Sequence, residues 1–181
     1  MAGPWLGLRA ALLLARGRHE GVALLIAEGP EAQRARAVHS FVAMLFCLPV
    51  FLAVQEVGRD LEGLAMLRQA GGVAIGWLGY AVLSHRIGAA IGREAQWPRF
   101  IVLWNWCNLV QYLLVGAALL PSFLGVPAMV AQTAWIVAMG WAMWLQWSAT
   151  RLTLALAGGS AALMVAADMA LGLVVLRFTV G

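Results

Sequence analysis

The chain contains no lysine, and from residue 100 to residue 150 it contains no Lys, Arg, His, Asp or Glu. A stretch of that length excludes an ordinary soluble surface, which carries about 25% charged residues. Over the whole chain charged residues make up 11% against 63% hydrophobic ones. The twelve basic residues are all arginines. They punctuate the ends of apolar segments instead of forming the dense basic patches with polar neighbours that grip a phosphate backbone, so no nucleic-acid partner is expected. Only two cysteines occur, Cys47 and Cys107, and both fall inside apolar segments, where a thiol behaves as a small hydrophobe. Cys-x-x-Cys and Cys/His spacings of the zinc type are missing. Glu-His metal motifs and Gly-rich phosphate loops are missing as well, and Ser160 has no histidine at its depth. These absences point to a non-enzymatic protein without a cofactor. A secretory leader is not expected, because the apolar run 10–15 is six residues long and is followed directly by Arg16 and Arg18.

What is present is apolar length. A spanning helix needs about 20 apolar residues to cross roughly 30 Å of hydrocarbon, and 100–150 holds two such lengths around the turn bounded by Pro121 and Pro127. The pattern predicts an all-α integral membrane bundle of five transmembrane helices, at about 37–55, 69–86, 100–120, 127–148 and 152–176, with Pro49 as a kink in the first. These form a transmembrane domain over 37–181. The segment 1–36 reads as cytoplasmic and interfacial. Within it Arg9, Arg16 and Glu20 share a narrow stripe at i, i+7, i+11, as an amphipathic helix on the membrane surface requires; Gly17 and Gly21 allow a pair of short helices equally. Pro30 and Glu31 mark a helix start that runs on into the first span.

Arginine placement sets the expected orientation, since short cytoplasmic loops accumulate positive charge. Nine arginines (9, 16, 18, 34, 36, 86, 93, 99 and 151) fall on one side and three (59, 68 and 177) on the other. The latter have Glu56, Asp60 and Glu62 for company. A multi-pass protein of a bacterial inner membrane is expected, with the N-terminus cytoplasmic and the C-terminus outside.

Asp168 stands alone as an acid well inside a predicted span. At that depth it costs about 2.5–3.5 kcal/mol on insertion scales unless it is paired, protonated or facing water. Counting inward from the outer helix ends brings Tyr80 and Gln132 or Thr133 to its level, with Asn108 and Gln111 as further candidates. A hydrogen-bonded helix clamp is the leading reading, and a proton or cation site is the alternative. The third span carries Asn105, Asn108, Gln111 and Tyr112, three of them at i, i+3, i+7; such amides bond across helices or line a polar cavity.

Gly72 and Gly76, Gly88 and Gly92, and Gly158, Ala162, Ala166 and Ala170 recur at steps of four, a spacing that lets helices approach closely. Packing within the protein is the expected use, with a homo-oligomer as the alternative. Trp97, Trp104 and Trp106 near one end of span three, and Trp141, Trp144 and Trp147 near the matching end of span four, read as an aromatic belt at headgroup depth. His39 and His85 sit at one cytoplasmic depth on neighbouring helices, and facing histidines can ligate a haem; two wet interfacial rings are the preferred reading.

An arginine-rich cytoplasmic segment followed by five closely spaced spans, with 34–41 leading into the first helix and Arg99 and Phe100 into the third, resembles the layout of bacterial members of the Yip family of small multi-span membrane proteins. The cytoplasmic region is shorter here. The resemblance implies a membrane-organising or accessory protein without enzymatic activity, whose partners are membrane lipids or partner membrane subunits. The alternative is a small transporter or channel subunit using Asp168 and the polar face of the third span.

Overall fold

The computed structural model describes residues 5–26, 29–56 and 63–180. Its elements are helices: α1 (Leu6–Ala15), α2 (Glu20–Ile26), α3 (Pro30–Ser40), α4 (Val42–Glu56), α5 (Gly63–Ala90), α6 (Trp97–Ala118), α7 (Leu120–Phe123), α8 (Ala128–Leu154) and α9 (Gly158–Val180). Four stretches are long and apolar enough to cross a membrane: Pro30–Ala53, Glu94–Ser122, Ala128–Leu154 and Gly158–Thr179. Only 17% of the apolar window of α8, and the same share for α9, is buried within the protein. Met129, Ile136, Val137, Leu163, Leu173 and Phe178 point outward, an arrangement that suits lipid and would be costly in water.

Helix α5 is not among the four. At 28 residues it is about 42 Å long, but Arg68, Gln69, His85, Arg86 and its glycines dilute its apolar character. The expected outer-loop residues Arg59, Asp60 and Glu62 lie outside the described residues.

Local chemistry explains most boundaries. Pro30 occupies the first turn of α3 and Pro98 that of α6, where the missing N–H costs nothing. A single turn residue, Phe41, separates α3 from α4, and Pro49 sits inside α4 without ending it. Pro127 caps the start of α8. The fourth span does not stop at residue 148: α8 continues through Arg151 to Leu154, and α9 begins only at Gly158. Arg151 is tolerated because a cation is favoured in a last helical turn and its guanidinium lies 5.2 Å from the centre of the Trp147 ring. Arg99 Nε reaches back to donate to Thr153 O at 2.8 Å. Ala155 then turns the chain with φ 51° and ψ 50°, the left-handed conformation that commonly ends helices.

Of the two arrangements open to the N-terminal segment, one helix or a pair of short ones, the pair forms, α1 and α2, because Gly17 takes φ +75° and folds them against each other. Gly21 meets the carbonyl of Ala10. The stripe of Arg9, Arg16 and Glu20 is thereby divided. On its inner side α1 buries Ala10, Ala11 and Leu14, and Gly7 lies against Trp106 and Val102 of α6.

At the centre stands α6. Every residue from 100 to 107 is buried, because α1, α3, α4 and α8 surround this half of the helix. The other major pair is α5 with α9, which run antiparallel. A Cβ at Gly72 would meet Thr179, one at Gly76 would meet Val175, and one at Gly79 would meet Leu171. The Gly72 and Gly76 ridge therefore serves internal packing. Gly88 lies near the start of α6, facing Trp97, and Gly92 turns the chain after α5 with φ +72°. Ala162, Ala166 and Ala170 face outward.

Candidate functional site

The short turn between α8 and α9 determines what Asp168 meets. Trp147 Nε1 donates to Gly158 O at 2.9 Å and Leu156 N to Arg151 O at 3.1 Å, so the two helices leave the turn in a definite register. Gln146, a little over two turns before the end of α8, then faces Asp168, nearly three turns into α9. Gln146 Nε2 donates to Asp168 Oδ2 at 2.5 Å, and Trp104 Nε1 of α6 donates to the same oxygen at 3.1 Å. Gln111 Nε2 donates to Gln146 Oε1 at 2.9 Å and to Ala142 O at 3.0 Å. One carboxyl oxygen thus joins α6, α8 and α9, and Asp168 Oδ1 has no hydrogen bond among the described residues.

Tyr80, Gln132 and Thr133 are not its partners. The Tyr80 hydroxyl donates to Met164 O at 3.2 Å, Thr133 donates to its own helix at Met129 O, and Gln132 is exposed. Counting from the helix ends remote from the α8–α9 turn misplaces them, because α9 runs past residue 176 to Val180 and those ends are not level with one another; counting from the α8–α9 turn reaches Gln146.

The amide strip of α6 divides between neighbours. Asn105, fully buried, donates from Nδ2 to Ser40 Oγ and accepts from Trp77 Nε1 at Oδ1, both at 2.6 Å. It ties α3 and α5 to α6. Asn108 donates to Trp104 O at 3.0 Å. Tyr112 lies parallel to Trp77 with ring centres 6.3 Å apart and meets Phe51 edge-on at 5.9 Å.

Two tryptophans assigned to the headgroup belt belong to the interior: Trp104 is 3% exposed and Trp106 2%. Trp104 packs edge-on against Trp77 at 5.2 Å and tilted against Tyr80 at 4.9 Å. The reason is the central position of α6, whose first half is enclosed on every side. Trp97 is half-buried and donates to Ser84 Oγ, Trp141 and Trp147 are half-buried, and Trp144 is exposed.

Between α5, α6 and α9, with Phe51 of α4 at its edge, lies a cavity of about 290 Å³. Asp168, Gln69, Asn108, Tyr112, Trp77 and Trp104 line it, and Gly72, Gly76 and Gly172 leave room for it. Gln69 is 5% exposed, and its Oε1 has no hydrogen-bond partner.

The residues that sequence reasoning missed are Gln69, Trp77, Trp104 and Gln146. A signal for Trp104 was present: Trp104, Asn108 and Gln111 follow the i, i+4, i+7 spacing of one helix face. His39 and His85 have separate partners. His39 Nδ1 bonds Ala35 O at 2.7 Å, while His85 lies 3.7 Å from Glu94 and edge-on to Trp97. Among the described residues no group of three His, Cys, Asp or Glu side chains is placed to hold a metal. Compared with known proteins, the chain matches no family model, no curated protein and no solved structure.

Proposed function

We propose that this chain is a small transporter or channel subunit whose working group is Asp168. The observation that carries this reading is the position of that carboxyl: one oxygen is held by Trp104 and Gln146, and the residue forms part of a cavity wall. A group used only as a clamp has no need of a cavity beside it, and an acid inside a membrane domain is by default a candidate for solute or proton handling. In this reading α5 is also a span, the second in chain order, which brings the number to five. Its antiparallel match to α9, from Gly72 at Thr179 to Gly79 at Leu171, supports that, since a helix lying alongside a spanning helix shares its depth. The arginine distribution supports a cytoplasmic N-terminus, an external C-terminus and insertion in a bacterial inner membrane.

A second reading is an accessory or membrane-organising protein without transport activity, in line with the Yip-like layout. The bonding of three helices through Asp168 Oδ2 favours it.

Purified protein reconstituted in liposomes, with an internal pH dye and externally applied proton, potassium and methylammonium gradients, separates the two. Transport predicts flux above empty liposomes that Asp168→Asn abolishes, while the variant's melting temperature stays close to that of the parent. No flux from the parent protein, together with loosening of the bundle in Asp168→Leu but not in Asp168→Asn, would favour the accessory reading and retire the transporter.

A further inference from the structure

We infer that the cavity between α5, α6 and α9 binds the ammonium group of a linear aliphatic amine. The inference rests on the ligand-site reading of Asp168 given above and names the chemistry that the site selects.

The polar inventory of the cavity is weighted toward acceptors and carries an acid without a base. Asp168 contributes its unpartnered Oδ1, and Gln69 contributes a buried Oε1 that accepts nothing. Most of the donors nearby are already engaged: Trp104 Nε1 by Asp168, Trp77 Nε1 by Asn105, Asn108 Nδ2 by Trp104 O, and the Thr179 hydroxyl by Val175 O; the Tyr112 hydroxyl, which also lines the cavity, can accept as well as donate. No Lys, Arg or His is among the lining residues. An anion would find no counter-charge here. A ligand that brings N–H donors and a positive charge would complete both acceptors.

The walls agree with the charge. Trp77, Trp104, Tyr112 and Phe51 surround the space, and aromatic faces attract organic cations, most strongly where water is excluded. They also cover methylene groups well. Gly72, Gly76 and Gly172 line the passage between α5 and α9, and at Gly172 a Cβ would meet nothing within 4 Å.

The two acceptors define the ligand's shape. Asp168 stands at about the level of Gly79 and Tyr80, since Gly79 faces Leu171 and Tyr80 reaches Met164 O. Gln69 therefore lies about ten residues away along α5, or roughly 15 Å at 1.5 Å per residue. A cavity of about 290 Å³ drawn out over that length is narrow. A linear chain fits it better than a compact ring system, with its ammonium at Asp168 and a second donor, where present, at Gln69. The same ammonium chemistry occurs in free amines and in ethanolamine lipid headgroups, although no cation lines the cavity to meet the lipid's phosphate.

The test is titration calorimetry on the full chain in phosphatidylcholine nanodiscs, which offer no primary amine. The probes are n-hexylammonium, spermidine, neutral n-hexanol and hexanoate. Saturable binding of the two amines is expected, with hexanol weaker by about tenfold or more, as loss of a charge-assisted hydrogen bond implies, and with hexanoate weakest. Asp168→Asn should weaken both amines by a similar factor, and Gln69→Leu should weaken spermidine while leaving hexylammonium unchanged. Hexylammonium binding in Gln69→Leu shows that the variant cavity is intact. Competition from discs containing phosphatidylethanolamine would assign the site to the lipid amine, and its absence to free amines; both support the ammonium assignment. Equal binding of hexanol and hexylammonium, or no effect of Asp168→Asn on amine affinity, would overturn it while leaving the cavity as a ligand site. Amine binding without flux in the liposome experiment would instead keep this assignment and remove transport. Absence of binding by every probe would overturn the ammonium assignment outright, and proton flux persisting beside it would leave the transporter reading standing.

Discussion

Removing the amide of Asn105 tests whether the polar centre of α6 holds the bundle together. Asn105→Ala deletes two hydrogen bonds, the donation to Ser40 Oγ and the acceptance from Trp77 Nε1. Hydrogen bonds between membrane helices average about 0.6 kcal/mol each, so the pair accounts for about 1 kcal/mol. The larger contribution comes from the partner left behind. Trp77 is 5% exposed, and a buried N–H without an acceptor costs about 1–3 kcal/mol. Ser40 is not stranded in this way, because its hydroxyl donates to Ala37 O. The expected destabilisation is about 2–4 kcal/mol. Reversible unfolding by SDS titration in mixed micelles measures it. Trp77→Phe removes the orphaned donor, so the double variant should be less destabilised than the sum of the singles by about 1 kcal/mol or more. A change below about 0.5 kcal/mol for Asn105→Ala, the range of an ordinary surface substitution, would refute the reasoning.

Two further outcomes follow from particular positions. Gly7→Ala should destabilise by about 1–3 kcal/mol, the usual penalty for overpacking, because its new Cβ would enter the buried Trp106 ring and press on Val102; Gly140→Ala, with open space at that point, should be nearly neutral in the same titration. Alkaline phosphatase fused after Gly181 should be active and the same enzyme fused after Gly92 inactive; the reverse pattern would invert the proposed topology.

Much of the fold was legible in the residues themselves. The charge-free run 100–150 and its prolines define two long helices and the turn between them, because lipid tolerates neither charge nor unpaired backbone and so demands a continuous helix of about 20 residues. Pro30 and Pro127 mark helix starts for a reason local to each residue, whereas Pro98, in the first turn of α6, is a start that only the structure reveals. Asp168 was identifiable as a residue needing partners from its depth alone. The identity of those partners was not. Trp104 and Gln146 reach Asp168 only because of the register fixed at Ala155 and the rotation of α6 within its ring of neighbours, and both are properties of side-chain packing between helices far apart in sequence. The same enclosure drew Trp104 and Trp106 out of the aromatic belt that their positions suggested. Periodicity names the face that a residue occupies, whereas its neighbours depend on how helices cross, and a cavity such as the one lined by Gln69, Trp77 and Asp168 arises only where α5, α6 and α9 fail to fill the space between them.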